Sequence, residues 1–299
     1  MAPFQLQWKI EKQDEGQLLR EFLFSKGVSR RSLTAIKFQG GKIEVNGQEV
    51  NVRYSLKKED EVIIRFPVEI PSEKMSKHPV PLDIVYEDES VLVINKPPGV
   101  MTIPSGDRMS LSIANGLLHY YQEQGIQSAI HIVTRLDRDT SGLLLVAKHR
   151  YIHYLFSKQQ QEKMVSRKYN ALVEGLLNQQ SGVITAPIGR KEGSIIEREV
   201  RPDGQYAETH YSLIQQYEDF AHVLVELKTG RTHQIRVHMS HLGHPLVGDD
   251  LYGGSLRYMM RQALHCVELN FNHPITGEFK QIQSPLPEDM KRLTDSRGC

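Results

Sequence analysis

The sequence predicts an α+β fold: a larger domain with a mixed, largely antiparallel β-sheet and flanking helices around a central cleft, preceded by a small α+β unit. Three observations carry this expectation. Short apolar runs joined by tight turns recur along the chain, so hairpins outnumber strand–helix–strand crossovers. Helical stripes are few and do not alternate regularly with strands. A stretch holding Pro67, Pro71, Pro79 and Pro81 separates two regions of different pattern. A chain of 299 residues has room for one main domain and one accessory unit.

Residues 16–37 read as two short helices. Leu18, Leu19, Phe22 and Leu23 form an apolar stripe, Gly27 breaks it, and Ser29 caps the second helix. After Gly40-Gly41, Ile43 and Val45 alternate with charged residues and lead into Asn46-Gly47, a strong hairpin signal. Val50, Val52 and a strand at Val62 to Ile64 complete a unit spanning residues 1–66. Residues 67–81 read as a linker.

From residue 82 to 299 the pattern is that of the larger domain. Asp83 to Tyr86 and Val91 to Ile94 form a hairpin, Lys96 to Gly99 a loop, and residues 110–122 a helix. Ile130 to Val133 and Leu143 to Val146 are strands flanking a polar loop. A helix at Tyr151 to Lys163 leads to a strand at Tyr169 to Glu174. Thr209 to Tyr217 pairs with Ala221 to Leu227. A helix over Thr232 to Leu242 places Ile235, Met239 and Leu242 on one face.

Composition narrows the function classes. Hydrophobic residues at 39% and charged residues at 24% describe an ordinary globular chain. No apolar run is long enough for a transmembrane helix, and Met1 to Lys9 lacks the apolar core of a secretory signal, so a cytoplasmic protein without membrane contact is expected. Two cysteines, Cys266 and Cys299, exclude a disulfide scaffold and a thiolate zinc cluster. The net charge is only +1, but Arg20, Lys26, Arg30, Arg31, Lys37 and Lys42 stand against a single Glu21 over 23 positions. That local excess fits a phosphate-binding face and equally a solvated helix face.

Three segments gather chemistry. Thr134 to Gly142 places Asp137, Asp139, Arg135, Arg138, Thr140 and Ser141 on one loop between apolar strands, where rigid flanks can hold reactive groups; a salt-bridged turn is the plainer reading. Asp137-x-Asp139 has the form of a phosphatase aspartate pair that works with magnesium, but the regular βα alternation of such enzymes is missing. Thr229 to Asp249 is rich in imidazole, with His238, His241 and His244 three residues apart. No zinc motif accompanies them, so no metal is expected. Arg167-Lys168-Tyr169 enters an apolar strand, where a tyrosine is normally core.

Together these segments resemble the RluA/RluD-type pseudouridine synthases, which isomerise uridine in rRNA or tRNA. The family pattern H-R-L-D-x-D-T-S-G is matched by Thr134 to Gly142, and its lysine–tyrosine strand by Lys168 to Gly175. G-R-T-H-Q-I-R-V-H is matched by Gly230 to His238, G-H-P-x-x-G-D by Gly243 to Asp249, and N-K-P-x-G by Asn95 to Gly99. Residues 1–66 resemble the ribosomal-protein S-four-type RNA-binding module. The sequence departs from the pattern at Thr134, where histidine is usual, and at Ile103, where histidine is common before the proline.

The resemblance implies that Asp137 is the nucleophile, Arg236 its ion-pair partner and Tyr169 the residue packed against the target base. It implies that Arg135 helps extrude that base. It places Arg135, Thr140, Arg231 and His233 with Arg30 and Arg31 in substrate binding. The implied reaction breaks the ribose–nitrogen bond, turns the uracil and rejoins it through carbon 5. It is redox-neutral and transfers no external group, so no cofactor is expected. RNA is the expected partner, large-subunit rRNA before tRNA, for a monomeric isomerase. The alternative is a non-catalytic RNA-binding or ribosome-assembly factor that keeps the same fold.

Overall fold

The computed structural model describes residues 4–72, 75–104 and 111–295. In the first unit, β1 (Gln5–Lys9), α1 (Leu19–Ser25), α2 (Arg30–Phe38), β2 (Lys42–Val45), β3 (Gln48–Glu49) and β4 (Glu61–Arg65) follow one another. Asn46 and Gly47 take φ of +52° and +76°, both positive as a two-residue hairpin turn requires, and so β3 folds back on β2. Ser29 caps α2 by accepting the Ser32 N–H. The sheet runs β1-β4-β2-β3 and is antiparallel throughout. Strand β1, which the apolar pattern leaves unmarked, owes its place to pairing with β4, and only Leu6 of it is buried.

The larger unit contains β5 (Ile84–Glu87), β6 (Val91–Lys96), α3 (Ile113–Glu123), β7 (His131–Ile132), β8 (Ser141–Ala147), α4 (Arg150–Gln161) and β9 (Ser166–Glu174). It continues with β10 (Ser181–Thr185), β11 (Ile188–Arg190), β12 (Arg198–Val200), β13 (Glu208–Gln216), β14 (Phe220–Leu227) and α5 (Gln234–His241). Beyond these lie β15 (Leu264–Asn272), β16 (Phe279–Gln283) and α6 (Glu288–Asp295). One sheet runs β10-β13-β14-β9-β15-β8-β6-β5, with β16 on β15 and β7 on β8, while β11 and β12 form a ribbon. Among the described strands only β8 and β15 pair in parallel. The fold is therefore the mixed, largely antiparallel α+β architecture expected.

Two local expectations shift. Leu242, expected within the helix on one face with Ile235 and Met239, is its exposed C-cap, because α5 ends there and Gly243 turns the chain away. The helix expected from residue 110 starts after Ser112, whose side chain and that of Asn115 form a capping box. Position 110 itself lies outside the described residues.

The segment between the units is anchored. Glu69 accepts from the backbone N–H of Arg150 at 2.8 Å, from His131 Nε2, and from His149 Nε2 at 3.1 Å. His149 Nδ1 accepts the Tyr151 N–H, so its ring proton sits on Nε2 and points at Glu69. Phe4 stacks on His149 at 4.3 Å, and Tyr151 donates to the Lys26 carbonyl, which ties both units to the start of α4. Burial would raise the Glu69 pKa, but His131 and His149 outweigh it and hold it at about 2; burial pushes His149 down to about 4. The unfolded chain binds more protons in acid at both groups. Stability contributed here therefore falls as pH drops from 6.5 to 4 through His149, and below 4.5 through Glu69. Glu69→Ala is expected to cost about 3 kcal/mol, because it leaves buried donors without an acceptor. Thermal melts at pH 7 test this, and a variant melting with the parent would show that the carboxylate is no anchor.

Candidate active site

Sheet order explains why the three motif segments meet. Strand β15 lies between β8 and β9, so Gly142 pairs with Cys266 on one side and Tyr169 pairs with the same cysteine on the other. Gly142 has φ +108°, and a Cβ there would lie 2.3 Å from the Cys266 carbonyl oxygen. Only glycine permits that approach. The loop before β8, which carries Asp137, is thereby set beside Tyr169. Strand β14 neighbours β9, and α5 follows it, bringing Arg236 to the same end of the sheet.

The loop is held at several points. Lys96, fully buried at the end of β6, donates to the carbonyls of Pro97, Val100 and Arg138 at 2.7–2.8 Å. Three carbonyls call for three N–H donors, so this lysine is held as an ammonium, although burial draws its pKa down to about 7 against the pull of Asp139 and Asp137. Thr102 Oγ1 donates to the Leu136 carbonyl at 2.7 Å and accepts the Leu136 N–H at 3.2 Å. Arg261 donates to the Asp139 carbonyl, and its fork is fixed by Asp289 of α6 at 2.7 and 2.8 Å.

Against this frame Arg236 uses Nε and Nη2 on Asp249, both at 2.7 Å, and turns Nη1 to Asp137 Oδ2 at 3.5 Å. Burial opposes the charge on Arg236, but Asp249 and then Asp137 outweigh it and raise its pKa. His233 Nε2 stands 3.9 Å from the same Asp137 oxygen. Burial pushes the Tyr169 phenol well above its usual range, with Arg167 pulling the other way, so the hydroxyl stays protonated in the resting cleft. The cleft measures about 1190 Å³ and is lined by Arg135, Asp137, Thr140, Tyr169, Arg231, His233 and Arg236.

Seven of the nine sequence-derived positions thus converge. Arg135 is exposed at the rim and has no polar partner among the described residues, which leaves its guanidinium free to move. Thr140 is buried and its hydroxyl accepts from Gln262, so it shapes the loop. Arg231 is tied to the Tyr206 carbonyl and to Gln205. Arg30 and Arg31 do not line the cleft; both are exposed on the first turn of α2. The histidine triplet is dispersed: His238 is buried between Thr209 and the Ala186 carbonyl, and His244 bonds the Glu174 carbonyl. Asp139 does not bond Thr140 but pairs with Arg138. Lys96 and Asp249 stand inside matched motifs but were given no role there, and Tyr252 lies beyond them; for Asp249 the match itself was the available signal.

The cleft thus brings a carboxylate, a buried guanidinium and a buried tyrosine to one end of the sheet. Residues 90–241 match the RNA pseudouridylate synthase family. The chain is 52% identical over 275 residues to the uncharacterized RNA pseudouridine synthase YjbO of Bacillus subtilis, covering 92% of this chain and 97% of that protein. It is 37% identical to the ribosomal large subunit pseudouridine synthase D of Vibrio parahaemolyticus, covering 86% and 83%. The solved human RNA pseudouridylate synthase domain containing 1 superposes with a TM-score of 0.58 at 25% identity, over 76% of this chain and 96% of that one. This chain belongs to the RNA pseudouridine synthases, and is an isomerase of uridine in RNA rather than a phosphatase.

Proposed function

We propose that this enzyme isomerises uridines of large-subunit rRNA, with Asp137 as the nucleophile, Arg236 as its charge partner, Tyr169 against the uracil and Arg135 as the residue that helps extrude the base. The Asp137–Arg236 contact carries the reading, since it sets the carboxylate in the cleft beside a buried cation. The name of the Vibrio relative supports the rRNA class. Extruding a base from a stacked strand costs a few kcal/mol, and an unpaired rim arginine is suited to stack in the gap. In this reading the enzyme acts as a monomer on RNA in the cytoplasm; among the described residues no helix is long and apolar enough to cross a membrane. Release of tritium from carbon 5 of labelled uridine, compared between rRNA and tRNA transcripts, tests the substrate class. Release from tRNA alone would overturn it.

Residues 1–66 serve in this reading as an RNA-binding module, with Arg30 and Arg31 on phosphates. Replacing both by glutamate is expected to weaken RNA binding and to flatten the slope of log affinity against log salt by about 1.5, the share of two phosphate contacts. An unchanged slope in a salt titration would remove the two arginines from the interface.

A further inference from the structure

Tyr252 lies outside the matched motifs and touches both donors that face Asp137. Its ring carries the Arg236 guanidinium at 4.8 Å. Its hydroxyl is 2.9 Å from the backbone nitrogen of Arg198 and 2.7 Å from His233 Nδ1. A backbone N–H only donates, so the Tyr252 oxygen accepts from Arg198, which leaves its single proton free to go to Nδ1. No other acceptor stands within reach of that hydroxyl among the described residues. Nδ1 is then an acceptor and the ring proton sits on Nε2, which stands 3.9 Å from Asp137 Oδ2. With the other tautomer a lone pair would face the carboxylate and repel it.

The backbone supports the same arrangement. His233 holds φ +57° and ψ +20° just before α5, a left-handed conformation uncommon outside glycine and costly when no function requires it. That turn keeps the imidazole edge-on to Tyr252.

We propose that Tyr252 is a positioning residue that locks His233 in the Nε2–H form, so that Asp137 is faced by two donors, His233 Nε2–H and Arg236 Nη1. The proposal rests on the assignment of Asp137 as the catalytic carboxylate. Charged groups face His233 from several elements: Asp137 from the loop before β8, Arg236 from α5, Arg198 from β12, and Asp249 from the segment after α5. Burial and the two arginines keep the ring neutral against the pull of the two carboxylates.

Tyr252→Phe keeps the ring under Arg236 and removes only the hydroxyl. It is expected to lower kcat about tenfold, the equivalent of one hydrogen bond, with little change in KM. It is also expected to move the acid limb of the kcat profile upward by about half a pH unit, because the neutral ring loses a donor. His233→Gln places an amide nitrogen near Nε2, whereas His233→Asn places one near Nδ1. Glutamine should retain most of kcat and asparagine should lose it, although asparagine suits the left-handed backbone better and should give the higher Tm. A purely structural role would rank the two variants the other way. In the His233→Gln background, Tyr252→Phe should have no further effect on kcat. Equal losses of kcat for Tyr252→Phe in both backgrounds, an unmoved pH profile, or equal kcat for the Gln and Asn variants would overturn the proposal. Asp137→Asn run alongside separates the two readings: if it is inactive, those outcomes remove only the Tyr252 role, and if it is active, the assignment of Asp137 falls together with it.

Discussion

Asp137→Asn is expected to reduce tritium release from uridine by at least about 10³-fold while leaving the protein folded and able to bind RNA. The substitution keeps the shape of the side chain and removes its charge. Arg236 stays satisfied, because its Nε and Nη2 remain on Asp249, so the cleft has no reason to rearrange. The main-chain holds on the loop, from Lys96 to the Arg138 carbonyl and from Thr102 to Leu136, do not involve the Asp137 side chain. Affinity for RNA should hold or rise slightly, since one negative charge leaves a site that approaches phosphates. The measurement is tritium release paired with filter binding on the same transcript. An asparagine variant turning over within tenfold of the parent would move the nucleophile elsewhere. Asp139, which lines the same cleft, would be the first candidate.

Asp249→Ala is expected to be the most damaging single change to the site's architecture. Asp249 has a side chain with no solvent exposure and supplies both acceptors for the Arg236 fork. Without it a buried guanidinium keeps only Asp137, at 3.5 Å, as a carboxylate partner. Leaving such a charge unpaired costs about 3–5 kcal/mol, which corresponds to a fall in Tm of about 10 °C. The guanidinium would also swing toward Asp137 and engage the carboxylate that must react, so activity should fall further than stability accounts for. Differential scanning calorimetry and kcat measured well below the new Tm separate the two effects. A variant melting within about 2 °C of the parent would show that the pair is not a structural link.

The features readable in the chain are those whose physical cause is local. Asn46-Gly47 announced its hairpin because positive φ at two successive positions is a property of those residues. Ser29 announced a helix start because its hydroxyl caps a neighbouring amide. The Thr134–Gly142 and Gly230–His238 segments were legible through resemblance, because the chemistry restricts which residues stand there. Strand β15 was not: only β16 of its three partners is near it in sequence, and its place between β8 and β9 is set by pairings far along the chain. The exposed α6 carries only one buried residue, Met290, yet its Asp289 fixes Arg261 and through it the loop that carries Asp137. An exposed helix of eight residues gives little periodic signal for such a role.

The sequence by itself determined the class of fold and, through the family resemblance, the loop that carries Asp137, because turn chemistry, apolar alternation and motif spacing are written in neighbouring residues. Only the tertiary structure decided which acid holds Arg236, which proton His233 turns toward Asp137, and which buried lysine and distant helix keep the loop in place. Those are pairings between groups far apart in the chain. Each is set by burial, since a buried donor or charge must find a partner, and which partner stands within reach depends on how the whole sheet is ordered.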